Sequence, residues 1–144
     1  MALPNPVPVV LFGKTEDAGA AVASLLQPEY EVVHFITSFE DAQSVLPAIL
    51  SGSPPPSPPS SVGTGNYTNG ARAVILGPAF TTDQVESLRA TSPASAPVAW
   101  VVGGAGGTPA GSVAEAAQNA VNAVKGALAG WVATGGQHDG IINY

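Results

Sequence analysis

The chain of 144 residues contains no cysteine, and it has little charge of either sign. The missing cysteine excludes disulfide bonds, thiolate metal sites and a cysteine nucleophile. Lys and Arg number only 4 against 10 Asp and Glu, which gives a net charge of −6. So few bases cannot form the positive surface that holds a nucleic-acid backbone or an anionic membrane. We therefore expect neither nucleic acid nor a membrane as a partner.

Long apolar runs are absent as well. No segment reaches the roughly 18 apolar residues that a membrane-spanning helix requires. The first residues, MALPNPVP, have neither the basic start nor the apolar stretch of a signal peptide. These absences lead us to expect a cytoplasmic protein.

The residues that are present favour one folded domain over 1–144. Apolar residues make up 45% of the chain, enough for a core at this length. Residues 51–70, SGSPPPSPPSSVGTGNYTNG, have no periodicity and consist mostly of Pro, Ser, Gly, Thr and Asn. This composition predicts a flexible insert between two elements of the domain. Its PxxP spacings lack the flanking base of an SH3 ligand, so a solvated spacer is the preferred reading. Residues 135–144 form a C-terminal tail.

Short apolar segments alternate with amphipathic ones along the chain. The predicted strands are 7–12, 31–37, 73–76 and 98–102, with a possible fifth at 141–142. A helix is predicted over 18–26, between the first two strands. Three further helices are predicted where capping boxes satisfy the first amide groups of a helix. The capping boxes are Ser38 with Asp41, Thr81 with Gln84, and Ser112 with Glu115.

This alternation predicts an α/β three-layer sandwich. Buried strands that alternate with helices form a parallel sheet covered on both faces. We expect a mostly parallel sheet of four to five strands in the flavodoxin-like order 2-1-3-4(-5).

One phrase, EYEVVHFITSFEDAQSVL, resembles the second strand and second helix of the receiver domains of bacterial response regulators. The similarity of pattern covers roughly residues 7–130. It implies acids after the first strand, an Asp ending the third, a Thr or Ser after the fourth and a Lys after the fifth. The chain instead has Gly13-Lys14, Gly77-Pro78 and Gly103-Gly104, and its tail has no Lys. The resemblance therefore implies a receiver-like fold without its phosphoacceptor site.

The stretch VVLFGKTEDAG also resembles a nucleotide site at first sight. A P-loop needs a glycine five positions before Gly13, where this chain has Pro8. A dinucleotide fingerprint needs G-x-G-x-x-G, and only Gly13 and Gly19 are present. Glu16 and Asp17 would also repel a phosphate from the helix start. No cofactor is predicted, and NAD(P) or a flavin remains the minor alternative.

Small residues are expected where the strands end. Ligands of doubly wound sheets bind beyond the carboxyl ends of the strands, near the point where strand order reverses. Ordinary turns that need positive φ explain the same glycines. The candidate ligand-binding residues are Gly13, Lys14, Thr15, Gly77, Gly103 and Gly104.

The candidate acid–base residues are His34, His138 and Asp139. A carboxylate can orient an imidazole for proton transfer, but adjacent residues on an extended chain point to opposite faces. His34 lies within an apolar strand, where a hydrogen-bonded sheet residue is the simpler interpretation. Two scattered histidines do not make a metal site, and none is predicted.

Two hypotheses about function remain. The first is a non-catalytic receiver-like module that acts through protein contacts or self-association, with a homodimer as the expected form. The alternative is a small enzyme or a small-ligand or nucleotide-binding protein that uses the glycine-lined cleft at the strand ends. Two chains could then complete one site.

Overall fold

A computed structural model describes most of the chain. The described residues are 7–12, 16–26, 30–36, 39–50, 63–65, 71–76, 82–91, 98–102, 113–133 and 140–143. The strands are β1 (Val7–Phe12), β2 (Tyr30–Ile36), β3 (Ala73–Leu76), β4 (Ala99–Val102) and β5 (Gly140–Asn143). The helices are α1 (Glu16–Leu26), α2 (Phe39–Leu50), α3 (Thr82–Thr91) and α4 (Val113–Ala133).

The strands form one five-stranded sheet in the order β2-β1-β3-β4-β5. Every neighbouring pair runs parallel, including β4 with β5. The predicted α/β class, parallel sheet and flavodoxin-like order are therefore confirmed. The tail supplies the fifth strand within its own chain.

Helices cover both faces of the sheet, as the three-layer prediction requires. On one face α2 and α3 pack against the sheet, with Val45, Leu46 and Leu88 fully buried beside Val10 and Val74. On the other face α1 and α4 form a second core with alternate residues of the same strands. Strands buried on both faces read as continuous apolar runs, which explains why they were recognisable in the sequence.

Three helices begin one residue after the predicted capping residues. The first residues of α2, α3 and α4 are Phe39, Thr82 and Val113. The three capping residues lie outside the described residues. The first helix begins at Glu16, two residues before the predicted start. Glu16 and Asp17 thus belong to its first turn.

The packing of α1 against β2 depends on Gly19, which has no side chain. A Cβ atom built on Gly19 would lie 2.6 Å from Cζ of Phe35, and its contact with Cε1 of Phe35 would be closer still. Phe35 is itself buried. Gly19, one of the two glycines weighed against a dinucleotide fingerprint, therefore makes room for an aromatic ring.

Candidate functional site

The first place to look for a site is the edge where the parallel strands end. Strand order reverses between β1 and β3, because the chain places β2 on one side of β1 and β3 on the other. Leu11 pairs with Ile75, so β1 and β3 end side by side at Phe12 and Leu76. Leu76 in turn pairs with Val102, where β4 ends. This is the switch point at which doubly wound sheets bind ligands.

The candidate ligand-binding residues follow these strand ends in sequence, but they lie outside the described residues. They are Gly13, Lys14, Thr15, Gly77, Gly103 and Gly104. The acid–base candidates His138 and Asp139 also lie outside them. Their roles therefore stay predictions.

His34 is the one predicted site residue that the structure describes. It pairs with Val10 in the middle of β1, and its side chain is 3% exposed. His34 belongs to the outer strand β2, so the whole of β1 separates it from the switch point. The structure does not bring it to the place where the other candidates are expected.

The surroundings of His34 favour its neutral form. Burial lowers the pKa of His34 below its ordinary value of 6.5, and the nearby carboxylate of Asp41 opposes this with a smaller raising effect. Asp41 is exposed in the first turn of α2, where an acid complements the helix dipole. A neutral, buried imidazole with a carboxylate nearby is compatible with acid–base chemistry and equally with a structural role.

A β-bulge lies directly beside His34. Val9 pairs with Val32, and Val10 pairs with His34, so Val33 is an extra residue in β2. A bulge of this kind bends its strand and locally redirects side chains and backbone groups. Val33 is fully buried in the core beneath α2.

Residues 63–65 of the insert lie along the outer edge of β2, and we call them the strap. The backbone N–H of Thr64 donates to the carbonyl of Val32 at 2.9 Å, and that of Gly65 donates to the carbonyl of Val33 at 3.0 Å. The Thr64 hydroxyl donates to Oε2 of Glu31 at 2.9 Å. The expected flexible, solvated spacer therefore includes a segment that is bonded to the sheet.

The strap depends on its glycines. A Cβ atom built on Gly63 would lie 2.8 Å from both the Cα of His34 and the carbonyl oxygen of Val33. Gly65 has a φ of 76°, in the left-handed region that favours glycine. Both positions allow the strap backbone to turn and to approach β2 closely.

Neither the bulge nor the strap was anticipated from the sequence. The letters VVHF are typical of an ordinary strand, and nothing in them marks an extra residue. The Gly63-Thr64-Gly65 spacing was the available signal, since glycines mark a close approach of backbones as well as turns.

Arg72 lies at the opposite, amino end of the sheet. Its backbone N–H donates to the carbonyl of Pro8, and its carbonyl accepts from the N–H of Ala99. Its Nε is buried without a hydrogen-bond partner among the described residues. Because Arg72 precedes β3 and Leu76 ends it, the guanidinium does not belong to the switch point.

Two further observations concern the described residues only. They contain no group of three His, Asp or Glu side chains arranged to hold a metal ion. No helix among them combines the length and apolar character needed to cross a membrane.

Comparison with curated proteins finds a relative in a filamentous fungus. The chain is 34% identical over 100 residues to Kojic acid related protein 6 of Aspergillus oryzae. The similarity covers 68% of this chain but 59% of the relative, so the chain spans less than two thirds of the relative's length. Comparison with protein-family profiles finds no match. No solved structure matches either.

Proposed function

We propose that this domain is a non-catalytic, receiver-like module that works through protein contacts, and first of all by forming a homodimer through β5. The parallel order β2-β1-β3-β4-β5 supports the receiver-like assignment. The residues that follow β1 and β3 in sequence are Gly13-Lys14 and Gly77-Pro78, which cannot hold Mg²⁺ or accept phosphate as a receiver does. Such a module keeps the receiver fold but does not carry out phosphoryl transfer.

The observation that carries the proposal is the position of β5. It is the last strand of the sheet, and no described segment lies beyond it. An edge strand presents backbone N–H and C=O groups that can pair with another chain. The sequence GIIN contains neither the Lys nor the Pro with which proteins commonly protect such an edge. It is also as long as its neighbours β3 and β4, so it is not a shortened edge.

A second copy of the chain is the simplest partner for this edge. Two identical edge strands related by a two-fold axis run antiparallel, so each β5 would extend the sheet of the other. The pairing uses backbone groups, which every chain carries, and it needs no charged surface. This suits a chain with only 10% charged residues.

A pair of proline variants tests the dimer. Successive N–H groups of a strand point to opposite sides, so one of Ile141 and Ile142 donates towards β4 and the other outwards. Proline removes the N–H group and is tolerated in an edge strand where that group faces solvent. We expect one of Ile141→Pro and Ile142→Pro to stay folded and to sediment as a monomer, with an unfolding midpoint lowered only by the lost dimerisation. The other should lose stability.

Wild-type protein should sediment as a dimer across the same concentration series. A monomeric wild type, or a dimer that survives both proline substitutions in folded protein, would contradict the proposal.

A second candidate function is ligand binding at the switch point. The side-by-side ends of β1 and β3 at Phe12 and Leu76 favour it, because ligands of doubly wound sheets bind there. Thermal unfolding with NAD(H), NADP(H), FMN, ATP and coenzyme A tests it. The relative's name adds kojic acid to the compounds. A ligand at one hundred times its Kd should add about 2.7 kcal/mol to the free energy of unfolding. A rise that Lys14→Ala abolishes would favour this function.

A further inference from the structure

The outer edge of β2 has the properties of an edge that needs protection. β2 is seven residues long, whereas β5 at the other edge has four. Its residues from Val32 to Ile36 are all buried. Long edge strands of apolar sequence are the ones that pair with copies of themselves.

The strap occupies this edge by an arrangement that a regular strand would not allow. Carbonyls of successive residues in a regular strand point to opposite sides, yet the carbonyls of Val32 and Val33 both accept hydrogen bonds from the strap. The extra residue Val33 explains how both can face outwards. The bulge and the strap thus work together, and the two outward carbonyls already have donors.

The path of the chain also needs an explanation. Residues 51–72 connect α2 to β3, and β3 lies two strands away from β2, on the far side of β1. A direct return from α2 to β3 leads away from the outer edge of β2. The chain instead passes along that edge. Connections of more than about 12–15 residues usually either have a function of their own or are disordered linkers, and the bonded strap does not fit the second description.

We propose that the strap is an edge guard, which prevents a second copy of the chain from adding to β2. The occupant it excludes is another β2 strand, because edge-to-edge pairing needs only backbone groups and an apolar strand. The guard acts at the edge opposite to β5 and does not require the β5 dimer. Where that dimer forms, the guard makes the assembly closed, since an uncovered β2 at each end would let the sheet continue into a polymer.

The test is Gly63→Val in the full chain. The added side chain meets backbone atoms of β2, which cannot move aside as a flexible side chain could. The strap should then leave the edge. The amides of Thr64 and Gly65 should exchange with solvent at least roughly five-fold faster, the factor that corresponds to the smallest usual cost of overpacking. Gly126→Val is the matched control, because a Cβ at Gly126 meets no atom within 4 Å beyond the backbone of its own helix.

The expected consequence is new association. Gly63→Val should sediment as species larger than wild type and grow with concentration, whereas Gly126→Val should match wild type. In the proline variant of β5 that is monomeric and folded, Gly63→Val should restore dimers. This double variant tests the guard independently of the β5 dimer. Its β5 edge can no longer pair, so any dimer must form through another surface.

Several outcomes would overturn the guard. One is a folded Gly63→Val protein with fast-exchanging strap amides and wild-type sedimentation. If Gly63→Val does not fold, Thr64→Pro replaces it, since it removes the N–H donor to Val32 and puts a ring carbon against that carbonyl. In this variant the Gly65 amide alone reports whether the strap has left the edge. If the strap amides exchanged as slowly as in wild type in both variants, the strap would not need its close contact with β2. That result would also overturn the proposal.

Discussion

At one edge of the sheet, β2 carries a bulge, a buried histidine and the bonded strap. At the other edge, β5 runs beside β4 and no described segment lies beyond it. Both strands face the same physical problem, because each ends the hydrogen-bond ladder of a parallel sheet. The chain devotes part of its 51–70 insert to one edge and four residues of its tail to the other.

The difference shows two ways to treat the edge of a sheet: it can be covered, or it can be left open to pairing with another chain. A covered, bulged edge resists pairing because its outward carbonyls are already occupied and its strand is bent. An uncharged edge that no described segment covers offers its backbone groups to a partner. On this interpretation the domain has one edge for assembly and one that assembly must not use.

The largest expected effect concerns the packing that holds β2 in place. Gly19→Ala should destabilise the protein, because a Cβ at this position overlaps the buried ring of Phe35. Overpacking of this kind costs about 1–3 kcal/mol, against about 1 kcal/mol gained from the better helix propensity of alanine. Gly126→Ala at an exposed position of α4 should gain about 0.5–1 kcal/mol, because there the propensity acts alone.

Urea unfolding of both variants measures the contrast directly. Phe35→Leu combined with Gly19→Ala should recover part of the loss. Equal unfolding free energies for the two alanine variants would mean that α1 does not rest on Phe35 as the structure shows.

The layered fold was predictable from sequence because each of its signals is local. β3 has the predicted bounds, 73–76, since a strand buried on both faces must be apolar throughout. Helix starts at Phe39, Thr82 and Val113 followed from the capping pattern. The fifth strand was only a possibility, because Ile141 and Ile142 alone do not specify a partner.

The β2 edge was not predictable because its contacts are made by backbone groups of residues far apart in the chain. Thr64 reaches Glu31 across 33 positions, and the strap has no periodicity to indicate a strand. The bulge at Val33 leaves no sign in the letters around it. The burial of His34 was expected from its apolar neighbours, whereas its position away from the switch point required the strand order.

The stability of the protein should depend on the protonation of His34. Because burial keeps the pKa of His34 below 6.5 in the folded protein, the unfolded chain binds this proton more readily. Stability contributed by neutral His34 is present above pH 6.5 and is lost as the pH falls from 6.5 through the lowered pKa. One histidine accounts for at most about 1.4 kcal/mol per pH unit in that range.

Unfolding free energies measured between pH 7 and pH 5 test this dependence. His34→Gln should flatten the decline, and the control variant His138→Gln, at the position two residues before β5, should keep it. If His138→Gln flattened the decline instead, the pH-sensitive group would be His138 and not His34. Asp41→Asn should extend the decline to lower pH, because the carboxylate raises the pKa of His34.

The smallest expected effect is at the side chain that pins the strap. Thr64→Val removes the hydroxyl that donates to Glu31 at 2.9 Å but leaves both backbone donors in place. The bond is exposed, so its loss should cost roughly 0.5–1.5 kcal/mol of strap closure and very little global stability. Exchange of the Thr64 and Gly65 amides should therefore quicken, while the urea midpoint should stay close to that of wild type.

The variant Glu31→Gln keeps an acceptor for the hydroxyl, so its amide exchange rates should fall between those of wild type and Thr64→Val. If Thr64→Val lowered the urea midpoint as much as Gly19→Ala does, the strap would be part of the cooperative core. The strap could then not open independently of β2. The two edges would differ in their stability, and not in whether they can open to pair with another chain.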